Sequence, residues 1–390
     1  MASFFGLKIG SFQPIFFLGL VLAYHVVILV EGGRDIASRL SEEEDLELET
    51  QLSILNKSPI KTIHAYWGDI YDCIEFHKQP AFDHPLLKNR TITTPKRDEI
   101  ASTRPHKTSV MSQIEGCPKG TVPIRRTTKE DLMRAKYLSS SSNSPGDEYF
   151  AGITVQTEGE RYFGASGSAN VWNPKVISYQ SSGAEISLIA GPIEHANVIR
   201  FGWTVDPELY GDNVTRSYTY WTSDSGYTTG CYNTLCPGFV QVHPTYTPFL
   251  HFNKTSVIGG EQIQLLSSIQ MDPENGHWWL TMDNTTKVGY WPKDLFTQFQ
   301  LGAEYVYWGG RVRSGKDGIA PEMASGEKLD DFPNHVGYYA ALNYTNEVEG
   351  DWIPVQKGPI SFDCKGYYDA SWKYSEDHVL MYGGPGGPCA

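Results

Sequence analysis

The 390-residue sequence has a single long apolar run, residues 15–30, and therefore offers no second membrane span. It lacks the glycine-rich motifs that bind phosphates or dinucleotides. The text nearest to the Gly-x-Ser-x-Gly turn of serine hydrolases, residues 164–168, lacks the final glycine. Basic residues are scarce in residues 146–390, where 14 Lys and Arg face 28 Asp and Glu, a net charge of −14. These absences argue against a nucleotide-dependent enzyme, a serine hydrolase and a nucleic-acid-binding protein.

The apolar run is preceded by Lys8 and followed by small residues at Gly32 and Gly33. This layout is typical of a secretory signal peptide, which we place at residues 1–32, with a membrane anchor as the alternative. We expect a secreted protein, extracellular or vacuolar, that is free of the membrane once the signal is removed. Six Asn-x-Ser/Thr sequons fit a glycoprotein. They lie at Asn56, Asn89, Asn213, Asn253, Asn284 and Asn343.

Six cysteines allow 15 connectivities, so their order alone does not select one. Secretion favours oxidised cysteines, and we expect partners that are neighbours in the sequence because each pair then falls within one segment. The expected disulfides are Cys73–Cys117, Cys231–Cys236 and Cys364–Cys389. Cys231 and Cys236 lack His or Cys partners at zinc-site spacing, so we expect no metal and no other cofactor.

The polar stretch 139–146, SSSSNSPG, predicts a linker between two segments. Before it, residues 34–138 contain a predicted helix from Ser41 to Leu55 with acidic residues in its first turn. After it, residues 147–390 hold many short runs of alternating aromatic and β-branched residues between turns, with one short helix near residues 292–299. The pattern predicts an all-β antiparallel sandwich or barrel.

Four phrases of the sequence are distinctive when taken together: WNP at 172–174, DPELYGDN at 206–213, GCYNTLCPGF at 230–239 and VGYWP at 288–292. They resemble those of the neprosin family of secreted plant proteins, whose type member is a glutamic endopeptidase that cuts after proline. Residues 68–89 and 116–132 resemble the activation segment of the same family. The resemblance implies a β-sandwich of two large antiparallel sheets behind a smaller α/β pro-segment. Such a segment would cover the cleft until it is cut or released, and a permanent structural cap explains the same residues.

This chain departs from the family at both catalytic glutamates, because Arg200 and Arg311 stand at those positions. A peptidase with two carboxyls needs one group to activate water and another to protonate or polarise the scissile carbonyl. Arginine stays protonated in proteins and has no lone pair to accept a proton. We therefore predict that the domain is inactive. The two guanidinium groups need either carboxylates from neighbouring strands or a bound anion.

Other residues of the same phrases are expected to line the cleft: Gly202, Trp203, Trp308, Gly309 and Gly310. The glycines would let a substrate approach the backbone, and the tryptophans would form an aromatic wall.

Four nearby acids are not convincing replacements for the missing glutamates; strand alternation argues against Glu304, and a distance of roughly 20 Å along an extended strand argues against Glu194. The four are Glu194, Glu208, Glu304 and Glu322.

The leading hypothesis is a secreted, non-catalytic protein that binds a peptide or a small anion. The second is an acid-acting endopeptidase that cuts after proline with other carboxyls and processes itself at Pro145. A third, a carbohydrate-binding sandwich, depends on exposed tryptophans at Trp203 and Trp308. The sequence leaves the oligomeric state open.

Overall fold

A computed structural model describes residues 41–88, 114–139, 146–177, 179–356, 358–373 and 378–389. The described residues divide into two units, with the boundary between Gln51 and Leu52. The expected signal peptide, Asn89 and Pro145 lie outside the described residues. The boundary at 139–146 remains a prediction, since residues on both sides of it belong to the second unit.

The predicted first helix is present as α1, Glu42–Leu55. The hydroxyl of Ser41 accepts a hydrogen bond from the backbone N–H of Glu44 at 3.2 Å, and the Glu44 carboxylate accepts one from the backbone N–H of Ser41 at 3.2 Å. This reciprocal capping box satisfies two backbone donors and fixes the start of the helix.

Three antiparallel strands form a small sheet in the order in which they occur: β1 (Lys61–His64), β2 (Ile70–Glu75) and β3 (Thr121–Arg125). Helix α2, Lys129–Ser139, follows. The small sheet and its helices give the α/β pro-segment that the sequence predicts.

The described part of residues 146–389 contains strands β4 to β21 and one short α-helix, α3 (Pro207–Tyr210). The strands are β4 (Glu148–Val155), β5 (Gly164–Asn170), β6 (Ser181–Ala190), β7 (Asn197–Val205), β8 (Arg216–Thr222), β9 (Cys231–Tyr232), β10 (Val240–Gln241), β11 (Gln264–Met271), β12 (Trp278–Met282), β13 (Thr286–Trp291), β14 (Tyr305–Arg313), β15 (Ile319–Ala320), β16 (Gly337–Thr345), β17 (Ile353–Pro354), β18 (Ile360–Phe362), β19 (Asp369–Lys373), β20 (Val379–Gly383) and β21 (Gly387–Pro388).

Among the described residues, these strands form two large antiparallel sheets. One has seven strands in the order β18-β4-β14-β6-β7-β8-β9, and the other has nine, β10-β13-β12-β11-β5-β16-β20-β19 with β17 beside β16. Strands β15 and β21 pair separately. The two sheets stack face to face over one large hydrophobic core, to which both contribute buried side chains. The all-β sandwich prediction is therefore confirmed.

The predicted helix near residues 292–299 is a single 3-10 turn, Lys293–Leu295. Helix α3 was not predicted. Asp206 caps it by accepting a hydrogen bond from the N–H of Leu209 at 3.1 Å, and Gly211 ends it with φ 80°. The other 3-10 turns are Phe76–Lys78, Pro80–Asp83, Ile193–His195, Phe299–Leu301 and Pro333–His335.

Candidate functional site

Strand alternation puts Arg200 and Arg311 on the outer face of the seven-stranded sheet. Ile199 and Phe201, the neighbours of Arg200 on β7, are buried in the core between the sheets, so the Arg200 side chain points the other way. Strand β6 lies between β7 and β14 and carries Glu185. Arg200 is paired with Ser187, two residues after Glu185 on β6. Arg311 is paired with Gly183, two residues before Glu185. Glu185 is therefore flanked diagonally by the two arginines.

The residues directly opposite Glu185 are both glycines, Gly202 on β7 and Gly309 on β14. A Cβ atom at Gly202 would lie 1.8 Å from the Ala184 carbonyl oxygen, and one at Gly309 would lie 2.4 Å from the Ala151 carbonyl oxygen. Because neither glycine has a side chain, the arginine, serine and tyrosine side chains around Glu185 can approach its carboxylate.

Glu185 is a buried carboxylate, 1% exposed, between the two guanidinium groups. Its oxygens lie 3.5 Å from Nε of Arg200 and 3.8 Å from Nη1 of Arg311. The Ser187 hydroxyl donates to it at 2.7 Å, and the Tyr218 hydroxyl donates to its other oxygen. Burial, together with the charge of Glu185, raises the pKa of Tyr218, which keeps that hydroxyl a donor. A buried charge needs such partners because its desolvation is otherwise very costly.

Glu148, on strand β4, is the second carboxylate of the cluster and accepts a hydrogen bond from Nη2 of Arg311. Desolvation works to raise its pKa, but the charges of Arg311 and Arg200 outweigh this and lower it to about 2. Two arginines and two glutamates thus form a cluster whose formal charges cancel. Pairing with carboxylates from neighbouring strands, one of the alternatives left open by the sequence, is the arrangement in the structure.

The two arginines differ in how completely they are satisfied. Arg311, 11% exposed, donates to Glu148 and also faces Glu185. Arg200, 16% exposed, faces Glu185 and lies over the ring of Tyr220 at 5.4 Å. Within the described part of the chain the Arg200 guanidinium makes no hydrogen bond, although its Nε lies 3.5 Å from a Glu185 oxygen. The buried Nε of Arg311 also lacks a hydrogen-bond partner there, but Nη2 of Arg311 donates to Glu148. Arg200 is therefore the arginine of this pair that is held by charge and ring contacts alone.

A tightly hydrogen-bonded loop, residues 223–230, borders Arg200. The carboxylate of Asp224 accepts from the backbone N–H and hydroxyl groups of Thr228 and Thr229. Desolvation works to raise the pKa of Asp224, but these hydrogen bonds outweigh it and lower that pKa. Glycines of the loop approach the Tyr220 hydroxyl, and Tyr227 is 71% exposed. The loop thus packs against the hydroxyl of Tyr220, whose ring lies under Arg200, and it carries an exposed aromatic side chain at Tyr227.

The expected aromatic wall of Trp203 and Trp308 is wrong. Both side chains are 0% exposed and lie in the core, where their Nε1 atoms donate to the carbonyl oxygens of Asn170 (2.9 Å) and Ser166 (3.0 Å). Each tryptophan is three residues from an arginine of its own strand, and an odd separation places it on the opposite face. The carbohydrate-binding hypothesis loses its support with them.

Gly310 is a second correction. A Cβ atom there would lie 2.5 Å from Sδ of Met323, on the core side, whereas Gly202 and Gly309 lie on the face of the arginines. Gly310 therefore allows close packing between the sheets and does not line the cleft.

The four acids rejected on the sequence lie elsewhere. Glu304 pairs with Arg161 at 3.0 Å, Glu322 lies 3.9 Å from Lys175, and Glu208 accepts from the N–H of Tyr179. Glu194 belongs to the 3-10 turn Ile193–His195. Glu148 and Glu185 are not predicted from the sequence, because both are distant from the arginines along the chain and only strand pairing brings β4 and β6 beside β14 and β7.

The structure contains three disulfides, with the pairing that the sequence favours: Cys73–Cys117, Cys231–Cys236 and Cys364–Cys389. Three sequon residues are exposed: Asn213, Asn253 and Asn284. Asn343 is half-buried, and its Nδ2 donates to the carbonyl of Ala341. Asn56 is engaged on both sides of its amide by the backbone of Thr127, at 2.8 and 2.9 Å, which leaves little room for a glycan. Glycosylation remains a prediction.

In the described ranges, no group of three or more His, Cys, Asp or Glu side chains is placed to hold a metal ion. No helix of that part of the chain is long and apolar enough to cross a membrane.

Among solved structures, the chain is similar to scytalido-glutamic peptidase bound to a peptide-based transition-state analogue, at 11% identity, over 61% of this chain and 98% of that one, with a TM-score of 0.37. It is also similar to SCP-B, a member of the eqolisin family of peptidases in complex with the tripeptide Ala-Ile-His, at 12% identity, over 61% and 98% of the chains, with a TM-score of 0.36.

Family models give the more extensive match. Residues 62–159 match the neprosin activation peptide, and residues 178–385, more than half of the 390, match the neprosin domain. With the sandwich, the small N-terminal sheet and the shared sequence phrases, these matches assign the chain: it belongs to the neprosin family.

Proposed function

We propose that this peptidase-like protein is secreted, lacks peptidase activity and binds peptides or small anions through the face that carries Arg200. The observation that supports the lack of activity is the ion-paired cluster at the two positions where the family resemblance implies glutamates. Arg200 and Arg311 cannot accept a proton, and both are paired with Glu185. Each acid–base group typically contributes about 10² to 10⁴ in rate, so losing two lowers the rate by roughly 10⁴ or more.

The two glutamates of the cluster do not take over the roles of the missing pair. Glu185 is 1% exposed and is already engaged by two hydroxyl donors and two guanidinium groups, so it has no room for a substrate water. Desolvation works to raise the pKa of Glu148, but the charges of Arg311 and Arg200 lower it to about 2, so at pH 3 this exposed carboxylate does not hold the proton that a general acid must give. Because Glu185 is enclosed, the cluster does not supply the acid and the base that a pair of carboxyls needs.

Ligand binding is proposed for the Arg200 guanidinium because, unlike that of Arg311, it donates no hydrogen bond to the described residues. A planar guanidinium with free N–H groups recognises a carboxylate in a bidentate manner. Tyr220 beneath it and the exposed Tyr227 on the adjoining loop offer ring surfaces to the rest of a peptide. A peptide carboxylate, either a C-terminus or an acidic side chain, is the ligand group that fits this surface.

The first experiment tests activity. The purified protein is incubated at about pH 3, where carboxyl catalysis is plausible, with a proline-rich peptide and with its own precursor, and both are followed by mass spectrometry. We expect both to stay intact. Cleavage after proline that is absent from a heat-inactivated sample would instead support the alternative, an acid-acting endopeptidase that uses other carboxyls and processes itself at Pro145.

The second experiment tests binding by calorimetry with one peptide prepared with a free C-terminal carboxylate and with an amide. We expect the free acid to bind roughly tenfold or more tightly, and Arg200→Gln to remove the difference. Arg161→Gln is the matched control, because Arg161 lies in a more exposed pair with Glu304. Equal affinities for the two peptides, or an unaffected Arg200→Gln variant, would rule out this role of Arg200.

A further inference from the structure

The N-terminal segment, defined here as residues 52–88 and 114–138, completes a hydrophobic core on the sandwich. One buried cluster joins the segment to the sandwich. The sandwich contributes four residues, one each on β10, β12 and β13 and one directly after β10, and the segment contributes Ile74, Phe76, Ala81, Val122 and Ile124. The sandwich members are Val240, Val242, Trp279 and Tyr290. Trp279 lies between Trp278 and Leu280 of the main core, so it points away from that core and towards the segment. The segment covers apolar surface that the sandwich would otherwise expose to water.

Two further contacts extend this interface. The ring of Tyr71 stacks on Phe249 at 6.2 Å within a second buried cluster. Leu87, 2% exposed, reaches into the main core of the sandwich itself. Close by, His84 meets the edge of Trp221 at 5.9 Å. The segment therefore contributes to three hydrophobic clusters at once.

A pair of buried hydrogen bonds fixes the register of the interface. Strand β10 is an edge strand of the nine-stranded sheet, and its outer backbone groups at Gln241 would lack partners. The side-chain amide of Gln79 supplies both: its Nε2 donates to the Gln241 carbonyl at 3.0 Å, and its Oε1 accepts from the Gln241 N–H at 2.8 Å. Both residues are buried, so removing the segment leaves a donor and an acceptor unsatisfied unless water enters.

The segment is also held together independently of the sandwich. The Cys73–Cys117 disulfide joins its two parts, and Arg125 bridges Asp69 and Asp131 at 2.9 and 3.0 Å. A cut in the chain between the two parts would leave them linked. The other two disulfides lie within the sandwich, so covalent attachment of the segment to the sandwich runs through the main chain alone.

The cluster that the segment shares with strands β10, β12 and β13 lies on the outer side of the nine-stranded sheet, and His84 reaches Trp221 on β8 of the other sheet. Arg200 and Arg311 lie on the outer side of the seven-stranded sheet, and neither takes part in these contacts. The described part of the segment is therefore placed as a structural cap. We propose that the N-terminal segment is a permanent part of the fold that stays bound to residues 147–390 after the chain is cut within 139–146.

The test uses the full chain with a recognition site for a site-specific protease inserted after Ser141. After complete cutting, shown on a denaturing gel, the sample is passed over a sizing column at pH 7 and about 1 µM. We expect the two fragments to elute together at the position of the uncut protein. Fragments that separate, whether soluble or aggregated, would overturn the proposal.

The cut protein also allows the contribution of Gln79 to be measured. We expect Gln79→Ala to weaken the fragment complex on the order of tenfold or more, because it removes both partners of the Gln241 backbone. Gln156→Ala, at an exposed position of the sandwich, is the control and should leave the complex unchanged. Equal effects of the two substitutions would contradict the assigned interface. The outcome is independent of whether the protein cleaves or binds peptides.

Discussion

Replacing Glu185 by Gln is the most direct test of the charge cluster. Gln has nearly the same shape, so the space beside Gly202 and Gly309 stays filled, but the negative charge between the two arginines is lost. Glu185 is 1% exposed, and Arg200 and Arg311 are 16% and 11% exposed. Removing one partner of a buried ion pair typically costs about 3 to 5 kcal/mol. We therefore expect a decrease in unfolding free energy of that size, or a melting temperature lower by roughly 6 to 20 °C.

Urea unfolding followed by tryptophan fluorescence measures this change. Glu304→Gln is the matched control, because Glu304 forms a more exposed pair with Arg161, with side chains 31% and 37% exposed, and should cost less than about 1 kcal/mol. The double variant Glu185→Gln with Arg200→Gln should recover part of the loss, since it removes one of the two opposed charges. A loss at Glu185 no larger than that at Glu304, or a double variant whose loss is the sum of the single losses, would refute the cluster as a coupled unit.

Two further predictions concern other parts of the molecule. Nδ1 of His243 accepts from the N–H groups of Thr245 and Tyr246 at 3.1 and 3.0 Å, and desolvation lowers its pKa from 6.5 to about 4. Between pH 6.5 and pH 4 the folded state therefore binds fewer protons than the unfolded state. The free energy of unfolding is highest above pH 6.5 and should fall by on the order of 3 kcal/mol as the pH drops to 4. The free energy of unfolding should decrease less between pH 7 and pH 4.5 in the His243→Asn variant than in the wild type. Equal decreases in the two proteins would show that His243 does not cause this pH dependence. Trp308→Ala should lower the unfolding free energy by about 3 to 5 kcal/mol, while the milder Trp308→Phe keeps the peptide affinity of the wild type. A Trp308→Phe variant that lost affinity without losing stability would place this residue in the binding surface after all.

The sandwich could be predicted from the sequence because alternation of apolar residues is a local signal. Residues 197–205 show it clearly, with Ile199, Phe201 and Trp203 on one side and Arg200 on the other. The same rule puts Trp203 and Trp308 on the face opposite to the arginines, so strand alternation alone predicts that these tryptophans lie in the core. The disulfide pairing could also be anticipated, since each pair lies within one segment.

The composition of the cluster could not be read from the sequence. Glu185 and Glu148 lie 15 and 52 positions before Arg200, and nothing local marks either one as a partner. Their proximity follows from the strand order β4-β14-β6-β7, in which β14 enters between two strands that precede it in the chain. Gln79 is a similar case, because its hydrogen bonds to the backbone of Gln241 depend on which strand forms the edge of the sheet.

The neutrality of the cluster also limits how carboxyl chemistry could be introduced at positions 200 and 311. Changing Arg200 alone to Glu would set a new carboxylate beside Glu185 and leave Arg311 to balance three acids. Changing both arginines would gather four carboxylates with no cation of the cluster left to offset them. Each of these substitutions is thus opposed by the glutamates that stabilise the arginines. Carboxylates at positions 200 and 311 would be tolerated only if Glu185 lost its charge before or together with the arginines.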